Sequence, residues 1–260
     1  MKNYRLYGKP PYETAVIHGG PGGSGEIAPV ARELSKNYGI IEPLQTANSI
    51  DAQIAELYEA LKSHATIPAV LIGWSWGAFI SYMFAARYPS FVKKLVLISS
   101  GPFDAKYAES IMKVRKSRLS EQEQLYLDEL KQQIQKADCS EQKRLFKLFA
   151  QIIYKADSYD PMPYPDEVID YQADIFNAIW NEFVPLRKSG ILLDMGKSIK
   201  CPVIAIQGDY DSHPVQGVEP LARVCKHFQS ISMPHCGHCP WLEKQAKTRF
   251  YNILTSYLNA

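Results

Sequence analysis

Apolar residues in the first and last thirds of this chain come in short unbroken runs, separated by stretches where they recur at every third or fourth position. The runs at 14–18, 39–43, 69–74, 95–99, 203–207 and 230–233 read as strands buried on both faces, because a strand with only one covered face would alternate apolar with polar residues. Between them Ile50, Ile54, Leu57, Tyr58 and Leu61 recur at helical spacing. The stretch 78–88 repeats that pattern until Pro89, which cannot continue a helix. Strand and helix in alternation predict an α/β fold, a mostly parallel twisted sheet with helices on both faces. The chain before residue 14 has room for one small strand, around Tyr4 to Tyr7, and the last twenty or so residues for one helix.

The middle third breaks the rhythm. From 107 to 154 the pattern is helical and charged, with Ile111, Val114, Leu125, Leu127, Leu130, Ile134, Leu145, Leu148 and Phe149 as its apolar positions and no strand expected among them. A proline-rich stretch at 160–165 separates it from a further helical pattern over 168–183. Residues 103–186 are therefore expected to form a helical cap inserted into a single domain whose core is 1–102 and 187–260. The cluster Lys113, Arg115, Lys116 and Arg118 lies among Glu109, Glu121 and Glu123, and reads as a solvated helix face. Asp157, Asp160, Asp166, Glu167, Asp170 and Asp174 give the second half of the cap an acidic bias, which would favour a cationic group if it lined a pocket.

Composition narrows the partners. The chain has 260 residues and 46% hydrophobic content, enough to bury a large core. Its 29 basic and 27 acidic side chains leave a formal charge of +2, too little to hold a polyanion, so neither nucleic acid nor a membrane surface is an expected partner. No apolar stretch reaches spanning length and the first residues are polar, so a cytoplasmic location is expected. Five cysteines, an odd number, fit reduced thiols better than a disulfide framework.

The chemistry sits where strands end. Gly73-Trp74-Ser75-Trp76-Gly77 fits the G-x-S-x-G pattern between an apolar strand and a helical run. A serine hydroxyl is a poor nucleophile, and a sharp strand-to-helix turn exposes it to a base while the flanking glycines leave room for that turn. The Trp76 amide, opening the helix, would face a developing negative oxygen. The loop 18–23, His-Gly-Gly-Pro-Gly-Gly, can supply a second amide, for which Gly20 is the choice; a phosphate loop would need the lysine of a Walker motif, which is absent. Asp211, Asp209 and Asp104 each follow a strand and are candidates for an acid, and His238 and His235 for a base. His18 and His213 are expected only to shape their loops.

These motifs resemble the α/β-hydrolase superfamily, and His18-Gly-Gly-Pro-Gly22 with Gly73-Trp-Ser-Trp-Gly77 is similar to its proline iminopeptidase branch. The resemblance implies that Ser75, Asp211 and His238 form a catalytic triad, with an oxyanion hole from the Gly20 and Trp76 amides. Trp74 and Gly19 would line the substrate site. It implies hydrolysis of an ester, amide or short peptide through an acyl-enzyme, without cofactor or metal. An aminopeptidase, a carboxylesterase or thioesterase, and a non-catalytic ligand receptor stay open. The branch carries Asp-Gln-Arg-Gly where this chain reads Glu42-Pro43-Leu44-Gln45-Thr46. Cys236-Gly-His-Cys239 also matches a dithiol motif, but too little chain follows it for a thioredoxin-like domain.

Overall fold

A computed structural model describes residues 3–163 and 170–260. Nine strands are described: β1 (Tyr4–Tyr7), β2 (Tyr12–Ile17), β3 (Gly23–Ser24), β4 (Gly39–Pro43), β5 (Ala69–Trp74), β6 (Val92–Ile98), β7 (Asp170–Tyr171), β8 (Val203–Gly208) and β9 (Phe228–Met233). The helices are α1 (Ala28–Leu34), α2 (Ile50–His64), α3 (Trp76–Arg87), α4 (Glu109–Ser117), α5 (Glu121–Lys136), α6 (Cys139–Asp157), α7 (Ala173–Lys188), α8 (Ile191–Asp194) and α9 (Lys247–Asn259). Seven strands form the main sheet in the order β1-β4-β2-β5-β6-β8-β9. Only β1 runs antiparallel to its neighbour.

Successive strand residues point to opposite faces, and each face has its own apolar cover. Ala15, Ile17, Leu71, Leu95, Leu97, Val203 and Ala205 join the core on the side of α2, α3 and α7. Val16, Val70, Ile72, Val96, Ile98, Ile204 and Ile206 join the core under α1 and α9. This double burial is why the strands read as unbroken apolar runs. It also makes α3 buried nearly all round, with Phe79, Ile80, Tyr82 and Phe84 at 2% exposure or less.

The chain leaves the sheet after β6 and returns at β8. In between, α4, α5 and α6 enclose a small apolar cluster of Leu119, Leu127 and Ala156. Ser120 and Glu123 close a reciprocal capping box at the start of α5. α7 lays Ile175, Ile179 and Phe183 on the main core. Two findings differ from the sequence reading. A short antiparallel pair joins β3 to β7, Gly23 opposite Tyr171 and Ser24 opposite Asp170, so a strand lies within the stretch 168–183 that reads as helical. The basic face of α4 is also partly inward: Arg115 makes a bidentate pair with Asp157, their side chains 15% and 2% exposed. Lys116 pairs with Asp128, and Arg118 lies over the Tyr210 ring. Asp166 and Glu167 lie outside the described residues. Among the described residues no helix is long and apolar enough to cross a membrane.

Candidate active site

Ser75 stands between β5 and α3 with φ 52° and ψ −114°. Left-handed backbone is costly for a residue with a side chain, and here the surroundings enforce it. The Ser75 N–H donates to Ile98 O at 2.9 Å, extending the β5–β6 pairing by one residue before the chain turns. The flanking glycines are obligatory. A Cβ on Gly73 would lie 2.2 Å from Gly77 O, and one on Gly77 would lie 2.2 Å from Ile17 O. Ser75 is half-buried, and the N–H groups of Trp76 and Gly77 open α3 without an intrahelical acceptor.

The loop after β2 is organised by His18, which is fully buried. Its Nε2 accepts the Gln45 N–H at 3.2 Å, so Nδ1 carries the proton and donates to Gly19 O at 2.7 Å. Burial pushes the His18 pKa down to about 4, which keeps that tautomer neutral. A trans peptide sets the Gly20 N–H opposite the Gly19 carbonyl, so holding that carbonyl also fixes where the N–H points. Gly20 has φ 43°, and its carbonyl accepts the Gly23 N–H at 2.8 Å, closing a turn.

Asp211 and His238 come from the loops after β8 and β9. These loops extend the β8–β9 pairing: Asp209 N–H donates to Met233 O at 2.9 Å and Tyr210 N–H to Cys236 O at 2.9 Å. His238 Nδ1 lies 2.9 Å from Asp211 Oδ2. The Trp74 indole N–H donates to His238 O at 2.9 Å, and the His238 N–H to Asp157 O at 2.9 Å. Burial alone would lower the His238 pKa, but the Asp211 charge and hydrogen bond, helped by Asp157, raise it above its usual 6.5. Asp211 is opposed by burial too, yet the two histidines facing it hold its carboxyl far below the ordinary range. The Ser75 hydroxyl makes no hydrogen bond among the described residues; the bonds in this cluster run between Asp211 and the imidazoles.

The alternatives are occupied elsewhere. Asp209 is exposed and accepts the Cys236 N–H, and Asp104 caps a short turn through the Lys106 N–H. His235 is exposed and packs beside Tyr159. His213, expected only to shape its loop, also places Nδ1 2.8 Å from Asp211 Oδ1 and stacks on His238 with ring centroids 4.5 Å apart. Asp211, His213 and His238 have ligand-capable atoms within 4.8 Å of one another, and their N···O separations are those of hydrogen bonds to one carboxylate. Trp74 and Gly19, expected to line the substrate site, are packed together. Trp74 is 6% exposed and its N–H is taken by His238, while a Cβ on Gly19 would meet the Trp74 ring at 2.4 Å. They pack on each other and brace the two loops. Cys236 and Cys239 are buried free thiols, held protonated by burial above all.

Residues 16–245 match the family described as the alpha/beta hydrolase fold, and the chain belongs to that family. It is 24% identical over 252 residues to a pimeloyl-[acyl-carrier protein] methyl ester esterase from Shewanella woodyi, covering 95% of this chain and 94% of that protein. Among solved structures it is similar to VinJ, at TM-score 0.69 and 18% identity over 98% of this chain and 94% of that one. A proline iminopeptidase from Mycobacterium smegmatis superposes at TM-score 0.65 with 16% identity, over 98% of this chain and 93% of that one.

Proposed function

We propose that the protein is a serine esterase acting on small acyl substrates, with Ser75 as nucleophile, His238 as base and Asp211 as the acid that orients it. The observation that carries this is the 2.9 Å contact between His238 Nδ1 and Asp211 Oδ2, with the His238 carbonyl bonded to Trp74, the residue before a serine held in left-handed backbone at a helix start. With Nδ1–H donated to Asp211, Nε2 is the free basic atom. When a substrate binds, His238 Nε2 takes the Ser75 proton and Oγ attacks the carbonyl carbon. The resulting oxyanion lies between the Gly20 and Trp76 N–H groups. Its collapse breaks the ester bond, and the leaving oxygen takes the proton from His238. Water repeats the sequence on the acyl-enzyme, releasing the acid and restoring Ser75. Catalytic hydrogen bonds commonly tighten only in the substrate complex, so the serine–histidine bond belongs to that state.

An ester is preferred over a peptide for two reasons. The relative matched across nearly its whole length is a methyl ester esterase. Of the acidic residues that could attract a peptide amino terminus, Asp157 is bound to Arg115 and Asp160 to Lys244. The aminopeptidase reading rests on the His18–Gly22 loop motif and the proline iminopeptidase structure. A fluorophosphonate probe should label Ser75, and p-nitrophenyl esters of short acids should be hydrolysed with a loss of at least ~10³-fold in Ser75→Ala. Faster cleavage of prolyl p-nitroanilide than of esters would replace the esterase by the peptidase; no labelling and no turnover would leave a non-catalytic binder.

A further inference from the structure

Asp211 is filled to capacity. A carboxylate offers about four lone-pair positions. Oδ1 accepts the His213 backbone N–H at 2.9 Å and faces His213 Nδ1 at 2.8 Å. Oδ2 faces His238 Nδ1 at 2.9 Å and accepts Gln207 Nε2 at a long 3.4 Å. Gln207 Nε2 has two hydrogens and its shortest bond is to His213 O at 2.8 Å, with Ser100 O at 3.3 Å and Asp211 Oδ2 sharing the other, which ties the Asp211 turn to the end of β6. An ionised carboxylate only accepts, so each ring presents an Nδ1–H to it, and in a neutral ring Nε2 is then the unprotonated atom. Two imidazoles thus share one acid, stacked with an interplanar angle of 26°.

We propose that His213 is a positioning residue for the reaction proposed above, fixing the plane of Asp211 and weakening the hold of that carboxylate on the His238 proton. Turning the carboxylate about its Cβ–Cγ bond would break both contacts on Oδ1, so Oδ2 stays aimed at His238. Donors on Oδ1 also draw charge from the carboxylate, and a less basic acid raises the proton affinity of His238 less. The charged groups around the pair decide which ring charges. Asp211 faces both; Asp157, at the end of α6, and Arg115, from α4, act on both from the cap. Burial lowers the His213 pKa against the pull of Asp211, while His238 stays raised. His238 is the ring that takes the proton, and His213 stays neutral beside it.

Three proteins separate this from a structural role: wild type, His213→Asn, whose amide nitrogen stands near the position of Nδ1 and keeps a donor, and His213→Leu, which fills similar space without one. The His238 pKa is followed by NMR of ring-labelled histidine, with the pH profile of kcat/KM on a p-nitrophenyl ester beside it. In His213→Leu the His238 pKa should rise by about half to one unit and the acidic limb move with it. Its kcat should fall about 10- to 100-fold with KM little changed, as for a slightly misaimed base. His213→Asn should restore both. An unshifted His238 pKa in folded His213→Leu, or an Asn variant as impaired as Leu, overturns the proposal. Fluorophosphonate labelling keeps the two readings apart. If wild type is not labelled at Ser75, the esterase reading fails while the titration still tests the coupling; if labelling succeeds and the titration does not move, the role of His213 alone fails.

Discussion

Replacing Glu243 with alanine should destabilise the fold and slow the reaction together. Glu243, in the turn before α9, is 1% exposed, and its carboxylate accepts three backbone N–H groups: Tyr159 at 2.9 Å and Gly237 at 3.0 Å on Oε1, and Asp160 at 2.8 Å on Oε2. Two of these donors belong to the strap that leaves α6 and one to the His238 loop, so a single side chain joins the two segments. Hydrogen bonds to a charged group are worth about 1.5–3 kcal/mol each, and a buried donor left unpaired costs about 1–3 kcal/mol. Shared desolvation makes the three less than additive, so about 4 kcal/mol is expected for Glu243→Ala and about 2 kcal/mol for Glu243→Gln, which keeps one oxygen acceptor. Urea unfolding followed by tryptophan fluorescence would read the midpoints at constant slope. The ester assay under native conditions would read kcat, expected to fall at least ~10-fold in the alanine variant as Gly237 loses its anchor beside His238. A midpoint shift equivalent to less than about 1 kcal/mol for Glu243→Ala would refute the reasoning, since the substitution leaves the buried Gly237 N–H and two part-buried N–H groups without their acceptor.

Further outcomes test other parts of the site. Because His238 titrates above 6.5 in the fold, kcat/KM should fall as pH drops through that raised value, and Asp211→Asn should move the limb to lower pH and cut kcat by about 10⁴-fold. The same raised pKa contributes stability that is complete below pH 6.5 and lost as pH rises through the folded value, so the stability and activity attributable to this ring slope in opposite directions in pH scans. Gly19→Ala should cost at least ~100-fold in kcat, because its Cβ would sit 2.4 Å from the Trp74 ring and the loop must shift; wild-type turnover in a folded variant would show that the loop does not supply the oxyanion donor.

Much of the sheet was legible because burial on both faces leaves unbroken apolar runs. The strands at 39–43 and 69–74 carry the bounds read from sequence, while β2, β6, β8 and β9 differ by up to a few residues where polar ends still pair in the ladder. The β3–β7 pair was not legible: two residues a side carry no periodicity, and Gly22 is met by Gln172 only through the fold. Arg115 and Asp157 stand 42 residues apart, so an alternating-charge helix face gave no sign that one cation turns inward. His213 was visible as a residue near the site, but its two contacts with Asp211 were not. Its place two residues after Asp211 is what lets its backbone and its ring both reach Oδ1, a geometry set by the turn and not by residue type.

The burial of Trp74 explains how distant loops keep a common frame. Ser75 and the Gly19–Gly20 loop follow adjacent strands, β5 and β2, but β6 separates β5 from β8 in the sheet, and β9 lies beyond it. Backbone pairing alone therefore cannot relate His238 to Ser75. The Trp74 side chain spans that gap: its ring rests on Gly19, its N–H holds His238 O, and Trp241 packs edge-on at 5.0 Å. One rigid ring, on the residue before Ser75, ties the Ser75 turn to the His238 loop and to the Gly19–Gly20 loop. A phenylalanine there would keep much of the packing and lose the bond to the His238 carbonyl. It separates the two contributions: loss of stability would report the packing on Gly19 and Trp241, and loss of kcat at preserved stability would report the placement of His238.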